Sequence, residues 1–130
     1  MIKLTTDLKR LSDAEAEVMQ VIWSVSAPVT VQQVLDVFAQ DRGWKTSTLS
    51  TILSRLIEKG FLSKTMQGKT NFYSPITTEE QYKAHETQAL LKDIHHGSVK
   101  SFFAALVDSG ISKHEIVELR KWFNQMEGDS

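Results

Sequence analysis

The chain has 130 residues, the length of one domain or of one small domain with an oligomerisation extension, and its 41% hydrophobic and 24% charged residues are typical of a globular protein. It contains no cysteine, which excludes disulfide frameworks, thiol nucleophiles and thiolate metal sites. The net charge of −1 argues against a generally polycationic protein, yet residues 42–75 carry six cations against one glutamate, whereas residues 76–130 carry a net −3.

Two capping boxes predict the first two helices. Ser12 with Glu15 opens a helix that ends before "SAPV" at residues 26–29, because Pro28 cannot continue a helix. Thr30 with Gln33 opens a second helix that stops at Gly43. Apolar residues at helical spacing predict the buried face of each helix: Ala14, Val18, Val21, Ile22 and Val25 in the first, and Val31, Val34, Leu35 and Phe38 in the second.

The third predicted helix, "WKTSTLSTILSRLIEKG" at residues 44–60, has an unusual polar face. An apolar stripe runs from Leu49 to Ile57 at helical spacing, and Lys59 with Gly60 forms the C-terminal cap. The rest of its surface is rich in serine and threonine, which are mediocre helix formers. Glutamate and lysine would serve solubility better, so the hydroxyl groups indicate another purpose.

Two short strands follow the third helix. They are predicted to be joined by Gln67-Gly68, and Pro75 ends the second strand. Three helices and a hairpin, in this order, form a winged helix-turn-helix, in which the third helix enters the major groove and the hairpin, or wing, lies along the backbone or the adjacent groove. Short hydroxyl side chains allow such a helix to approach DNA closely. We therefore predict a mainly α fold, a winged helix-turn-helix followed by a helical dimerisation region.

This fold assigns DNA binding to the third helix and the wing. Arg55 is expected to contact phosphate, because it lies far from the helix N-terminus that penetrates deepest. Tyr73 is expected to pack under the wing, and Trp44 to anchor the loop before the third helix. The alternatives are a solvated helix face and lysines that protect an edge strand. The predicted DNA-binding residues are Lys45, Thr46, Ser47, Thr48, Ser50, Thr51, Arg55, Lys64 and Lys69.

Three more helices are predicted after Pro75, opened by Thr78, by Gly97-Ser98 and by Ser112 with Glu115. About 50 residues of helix enclose little core alone, so a second copy is expected to cover their apolar faces. The predicted dimerisation residues are Leu90, Ile94, Phe102, Phe103, Leu106, Ile116, Leu119, Trp122, Phe123 and Met126. The predicted domains are residues 1–76 for DNA binding and 77–126 for dimerisation, with a flexible tail at 127–130.

Catalysis, metal binding and membrane insertion have little support. The sequence contains no phosphate-binding loop and no nucleophile or metalloprotease motif, so an enzyme is not expected. No recognised metal site includes the histidines, and neither a metal nor a cofactor is predicted. The longest apolar run is far shorter than the ~20 residues of a membrane span, which favours a cytoplasmic protein. The histidines considered are His85, His95, His96 and His114.

Three motifs resemble the penicillinase-repressor, methicillin-resistance-repressor and copper-transport-repressor family of bacterial regulators. They are "LSDAEAEVMQVIW" at residues 11–23, "WKTSTLSTILSRLIEKGFL" at 44–62 and "GKTNFYSP" at 68–75. The chain departs from the family pattern at Ala16, where tryptophan is usual, and at Lys45-Thr46, where Ser-Pro is usual. Thr48, Arg55 and the wing residues Tyr73 and Pro75 match it.

The resemblance implies a homodimeric repressor on a palindromic double-stranded DNA operator, released by a signal. In the β-lactam branch the partner is a sensor protease that cuts an Asn-Phe bond, and the aligned residues here are approximately Ala105-Leu106. In the copper branch Cys-x-Cys motifs bind metal, and this chain has no cysteine. The inducing signal is therefore open. The alternative function is a winged-helix protein-interaction module that binds an acidic partner.

Overall fold

The computed structural model describes residues 10–128, which form six helices and one antiparallel hairpin in the predicted order. The first three helices and the hairpin confirm the winged helix-turn-helix. The elements are α1 Asp13–Ser24, α2 Val31–Phe38, α3 Thr46–Glu58, β1 Leu62–Gln67, β2 Thr70–Pro75, α4 Glu79–His95, α5 Val99–Asp108 and α6 Lys113–Gly128.

The predicted capping boxes are present at the helix starts. Ser12 caps α1 while the Glu15 carboxylate accepts from the Ser12 N–H, and Thr30 with Gln33 does the same for α2. Ser112 with Glu115 precedes α6 in the same way. These local hydrogen bonds satisfy backbone N–H groups that a helix leaves without partners, which explains why the starts were predictable.

Some helix ends and one turn differ from the sequence predictions. The second helix ends at Phe38, before Gly43, because residues 39–42 form a turn. The third helix begins at Thr46 after an extended Lys45, so Trp44 lies outside it. In the hairpin, Gln67 pairs with Thr70, and the two-residue loop is therefore Gly68-Lys69 rather than Gln67-Gly68. Gly68 adopts φ +62°, a conformation that favours glycine in such loops.

The chain divides into two compact units between Thr87 and Gln88, inside α4. The core of the first unit is built from α1, α2, α3 and the hairpin. Two residues near α1 differ from the prediction. Met19, which was not among the predicted buried residues, is fully buried, whereas Val25, which was, is 44% exposed. The buried apolar residues are Val18, Met19, Ile22, Val29, Val34, Phe38, Leu49, Ile52, Leu53, Leu56, Phe61, Leu62 and Tyr73.

The second unit consists of the end of α4 with α5 and α6. It is held by a chain of aromatic contacts, with ring centroids 5.3 Å apart for Phe102 and Phe103 and 6.0 Å apart for Phe103 and Phe123. None of the side chains of α5 and α6, within the described residues, is fully shielded from solvent. Among residues 10–128, no helix has the length and apolarity that crossing a membrane requires.

The predicted boundaries at residues 76 and 126 stay predictions. Of the predicted tail, Glu127 and Gly128 belong to α6, whereas residues 129 and 130 lie outside the described residues.

Candidate nucleic-acid interface

The helix α3 separates its apolar and hydroxyl-bearing residues onto opposite sides. Leu49, Leu53 and Leu56 are fully buried against the rest of the first unit. The other side, which we call the outer face, is exposed. Thr48 and Arg55 are seven residues apart, about two turns, so they share one side of the helix. The outer face consists of Thr46, Ser47, Thr48, Thr51, Ser54 and Arg55.

The predicted DNA-binding residues of α3 and the wing are exposed, with one exception. Ser50 is half-buried, because it lies beside the apolar stripe of α3. Lys45 occupies the N-cap position, but its side chain makes no capping hydrogen bond. The first N–H groups of α3 therefore remain available to an anionic oxygen, and the helix dipole favours such a ligand.

The hydroxyl groups of Thr48 and Thr51 are not equivalent. The Thr51 hydroxyl donates to the backbone carbonyl of Ser47 at 3.0 Å. Its proton is therefore in use, and it can serve DNA mainly as an acceptor. Within residues 10–128, the Thr48 hydroxyl has no such partner, so it can either donate or accept at a base edge or a phosphate.

An aromatic stack holds the turn that precedes α3. The ring centroids of Phe38 and Trp44 are 4.7 Å apart, and the Arg42 guanidinium lies 5.9 Å from the Trp44 ring. Arg42 also pairs with the Glu17 carboxylate of α1. Trp44 therefore anchors the loop before the third helix, as predicted, and Arg42 is not a free cation of the DNA-facing surface.

The wing is fixed at its base and exposed at its tip. Tyr73 is 5% exposed, and its backbone exchanges hydrogen bonds of 2.9 and 2.8 Å with Val29, which joins the wing to the strand-like segment before α2. Burial raises the pKa of the Tyr73 hydroxyl. Tyr73 thus packs under the wing as predicted. Lys64 and Lys69 are exposed, and Lys69 lies in the two-residue loop at the tip.

The positive charge of this region is smaller than the sequence indicates. Lys59 donates from Nζ to Glu15 at 2.5 Å, and its partner carboxylate is only 3% exposed. Burial alone raises the pKa of Glu15, but hydrogen bonds from Lys59 and Ser12 together with the Lys59 charge lower it below its ordinary value. Among residues 42–75, the exposed cations that pair with no carboxylate are Lys45, Arg55, Lys64 and Lys69.

The predicted dimerisation residues are partly exposed in the single chain. The exposed ones are Leu90, Ile94, Trp122, Phe123 and Met126, and the half-buried ones are Phe102, Phe103, Leu106, Ile116 and Leu119. An open groove of about 500 Å³ in the second unit is lined by Leu106, Ile111, Leu119 and Trp122, with Glu115 and Glu118 at its side. Apolar surface of this kind is typical of an interface with another protein chain.

The histidines make local contacts. His95 Nδ1 lies 2.9 Å from the Ser101 hydroxyl, and His85 Nδ1 lies 3.7 Å from the Glu86 carboxylate. Among the residues that the structure describes, no three acidic or histidine side chains converge as metal ligands.

Two residues of this region were not predicted from the sequence to act beyond their own helix. Glu15 was assigned only to a capping box, yet it also binds Lys59. Thr77 was assigned no role, yet it is buried and donates to the Gly60 carbonyl at 2.9 Å. No local sequence signal marks either contact, since the partners are far apart in the chain.

Comparison with known proteins identifies the family. Residues 11–125 match the penicillinase repressor family. The chain is 31% identical over 113 residues to the penicillinase repressor of Bacillus licheniformis, covering 86% of this chain and 88% of that protein. It is 26% identical over 116 residues to the methicillin resistance regulatory protein MecI of Staphylococcus aureus, covering 88% and 94%.

A solved structure supports the same assignment. The solution structure of the DNA-binding domain of the repressor BlaI is similar to this chain with a TM-score of 0.51 and 36% identity, covering 58% of this chain and 90% of that one. The family match spans nearly the whole sequence. The chain therefore belongs to the penicillinase repressor family.

Proposed function

We propose that this chain, a DNA-binding transcriptional repressor by its family, acts as a cytoplasmic homodimer on a palindromic operator. The observation that carries the proposal is the outer face of α3, where hydroxyl groups and Arg55 are exposed on a winged helix-turn-helix similar to the BlaI DNA-binding domain. An enzyme is not proposed, because the family consists of repressors.

The outer face and the wing contact different parts of the DNA. The N-terminal half of α3 enters the major groove, where Thr48 and the acceptor oxygen of Thr51 contact base edges or nearby phosphates. Arg55, near the other end of the helix, contacts the backbone. Lys64 and Lys69 hold the wing against phosphates, which fixes the register of the protein on the duplex without reading sequence.

Two copies of the chain associate through the second unit. Its exposed Trp122, Phe123 and Met126 provide an apolar surface on α6, and a second copy would cover it. A symmetric dimer presents two α3 helices to half-sites about one helical turn apart, and this spacing predicts an operator with two inverted half-sites.

Release from the operator requires a signal that lowers the affinity. The chain has no cysteine, so the Cys-x-Cys chemistry of the copper branch is not proposed for it. The residues Ala105-Leu106, which the family resemblance aligns approximately with the bond cut in the β-lactam branch, lie in α5.

Footprinting on the DNA upstream of the coding sequence tests the function. A protected palindrome is expected, with affinity about a thousandfold or more above that for a scrambled duplex of equal length. Both affinities should fall with salt, since both include phosphate contacts. Equal affinity for the operator and for scrambled DNA would contradict the proposal and favour an electrostatic module for an acidic partner.

A further inference from the structure

Lys59 joins the end of α3 to the beginning of α1. It follows α3 immediately, and its Nζ donates to the Glu15 carboxylate at 2.5 Å and to the backbone carbonyl of Arg10 at 2.9 Å. The same oxygen of Glu15 accepts from the N–H of Ser12 at 2.9 Å. The ammonium group is thus held by the residues that precede and open α1.

Apart from the hydrogen bond from the Thr77 hydroxyl to the Gly60 carbonyl, just after α3, the buried contacts of α3 with the core are mainly apolar. Leu49, Leu53 and Leu56 are fully buried, but hydrophobic contact is not directional. A rotation of α3 about its axis would move Thr48 and Thr51 away from their positions on the outer face. Rotation or translation of α3 would also separate Lys59 from Glu15. The Glu15 carboxylate would then lose its cation while it is only 3% exposed to water.

A buried ion pair penalises misorientation more than it adds stability. Removing two charges from water offsets much of their attraction, whereas leaving one buried charge without its partner is strongly unfavourable. An alternative setting of α3 would remove the Lys59 ammonium from the buried Glu15 carboxylate, so the pair favours the setting seen in the structure.

We propose that Glu15 and Lys59 are positioning residues that fix the rotation of α3 and thereby determine which hydroxyl groups face the DNA. The inference rests on the proposed function, because it concerns the specificity of operator binding. It also distinguishes Lys59 from Arg55: Arg55 is exposed on the outer face, whereas Lys59 is 25% exposed and two of its donors are in use.

A double-mutant cycle tests this assignment. The variants Glu15→Gln, Lys59→Met and the combination of both are titrated with operator and with scrambled duplex at several salt concentrations. Each variant is expected to lower the ratio of the two affinities by about tenfold, and the double variant is expected to lower it no further, because all three remove one interaction. The slope of affinity against salt should stay at the wild-type value.

A matched control removes an ion pair elsewhere in the first unit. Glu79 and Lys83 form an ion pair of 3.7 Å within α4, with Glu79 half-buried and Lys83 exposed. The variant Glu79→Gln with Lys83→Met should keep the wild-type ratio. The double variant Glu15→Gln with Lys59→Met leaves no buried charge, so it should fold even where Lys59→Met alone does not, and circular dichroism verifies this.

Three outcomes overturn the inference. One is a wild-type ratio in the folded double variant. Another is a lower salt slope for Lys59→Met with unchanged binding by Glu15→Gln, which would identify Lys59 as a phosphate contact. The third is a double variant that does not fold, which would make the pair a requirement of folding. A wild-type protein with no preference for its operator would contradict the proposed function instead.

Discussion

The indole Nε1 of Trp23 donates a hydrogen bond of 2.9 Å to the backbone carbonyl of Thr77, across 54 residues of sequence. The Thr77 hydroxyl in turn donates to the Gly60 carbonyl at 2.9 Å. Tyr82 lies in the first turn of α4, and its ring centroid is 5.6 Å from that of Trp23 and 5.7 Å from that of Phe61. The segment after the wing is therefore bonded both to α1 and to the end of α3.

Replacing Thr77 by valine should destabilise the first unit. The change preserves shape but removes the donor to the half-buried Gly60 carbonyl, and losing this hydrogen bond should lower the free energy of unfolding by about 1 kcal/mol. Urea denaturation measures this as a lower midpoint with an unchanged slope. Thr65→Val, at an exposed position of the wing, is the control and should keep the wild-type midpoint. Equal midpoints for the two variants would contradict the role of Thr77.

Local signals explain how much of the fold was predictable. Ser12 with Glu15 and Thr30 with Gln33 bond within three residues, and the stripe from Leu49 to Ile57 is set by helical periodicity. These features depend on neighbours in the sequence. The second helix, by contrast, ends earlier than predicted. The residues 39–42 that follow it carry no strong stop signal before Gly43.

The charge of the site was overestimated because ion pairs across the fold are invisible in a charge count. Arg42 pairs with Glu17, and Lys59 pairs with Glu15, 44 residues away. A carboxylate that caps its own helix gives no sign of a second, distant partner. The outer face of α3 was predictable because hydroxyl residues interrupt an otherwise regular apolar pattern, and Thr48 and Thr51 are exposed accordingly.

Stability should fall in acid partly through Glu15. Its pKa is lower in the folded chain than the ordinary value of 4.5, after burial, which raises it, is outweighed by the bonds from Lys59 and Ser12. The folded state therefore gains stability above that ordinary value and loses it as the pH falls through the lower, folded pKa. Thermal unfolding between about pH 7 and pH 3 should show a smaller loss in Glu15→Gln than in the wild type.

Glu115 serves as the internal control for the acid experiment. Its pKa is lowered as well, chiefly by the hydrogen bond from the Ser112 backbone, and it is present in both proteins. Its contribution cancels when the two pH profiles are subtracted. Parallel profiles for Glu15→Gln and the wild type would show that the Glu15 carboxylate does not govern the acid response.

Replacing Thr48 by alanine should relax operator specificity. The hydroxyl is exposed on the outer face, and losing a base contact costs about 1–3 kcal/mol of operator binding with little change for scrambled DNA. Fluorescence anisotropy with both duplexes gives the ratio. Thr87→Ala is the matched control, because Thr87 is an exposed helical threonine of α4 that does not belong to the outer face. A Thr48→Ala ratio equal to that of the control would count against the contact.

The wing should act through charge alone. Lys69 lies at the exposed tip, so Lys69→Gln is expected to weaken binding to operator and to scrambled DNA alike and to reduce the salt slope by about 1. Lys113→Gln, an exposed change at the start of α6, should leave the slope unaltered. A slope for Lys69→Gln identical to that of Lys113→Gln would leave the lysine as a solvated edge-strand residue.

Replacing Phe123 by aspartate should yield monomers. The Phe123 side chain is 40% exposed on α6, and its ring centroid lies 5.2 Å from that of Trp122. It therefore belongs to the apolar surface that a second copy is proposed to cover. A charge placed there would have to be desolvated on association, which is strongly unfavourable. Sedimentation velocity at fixed protein concentration should report half the wild-type mass.

The neighbouring change Asn124→Asp introduces the same charge at an exposed polar position and should keep the dimer. Because a monomer presents one α3 at a time, Phe123→Asp should bind a half-operator as the wild type does but lose most of its affinity for the full palindrome. Circular dichroism confirms that α6 is still helical. An intact dimer in the folded Phe123→Asp variant would place the twofold interface elsewhere.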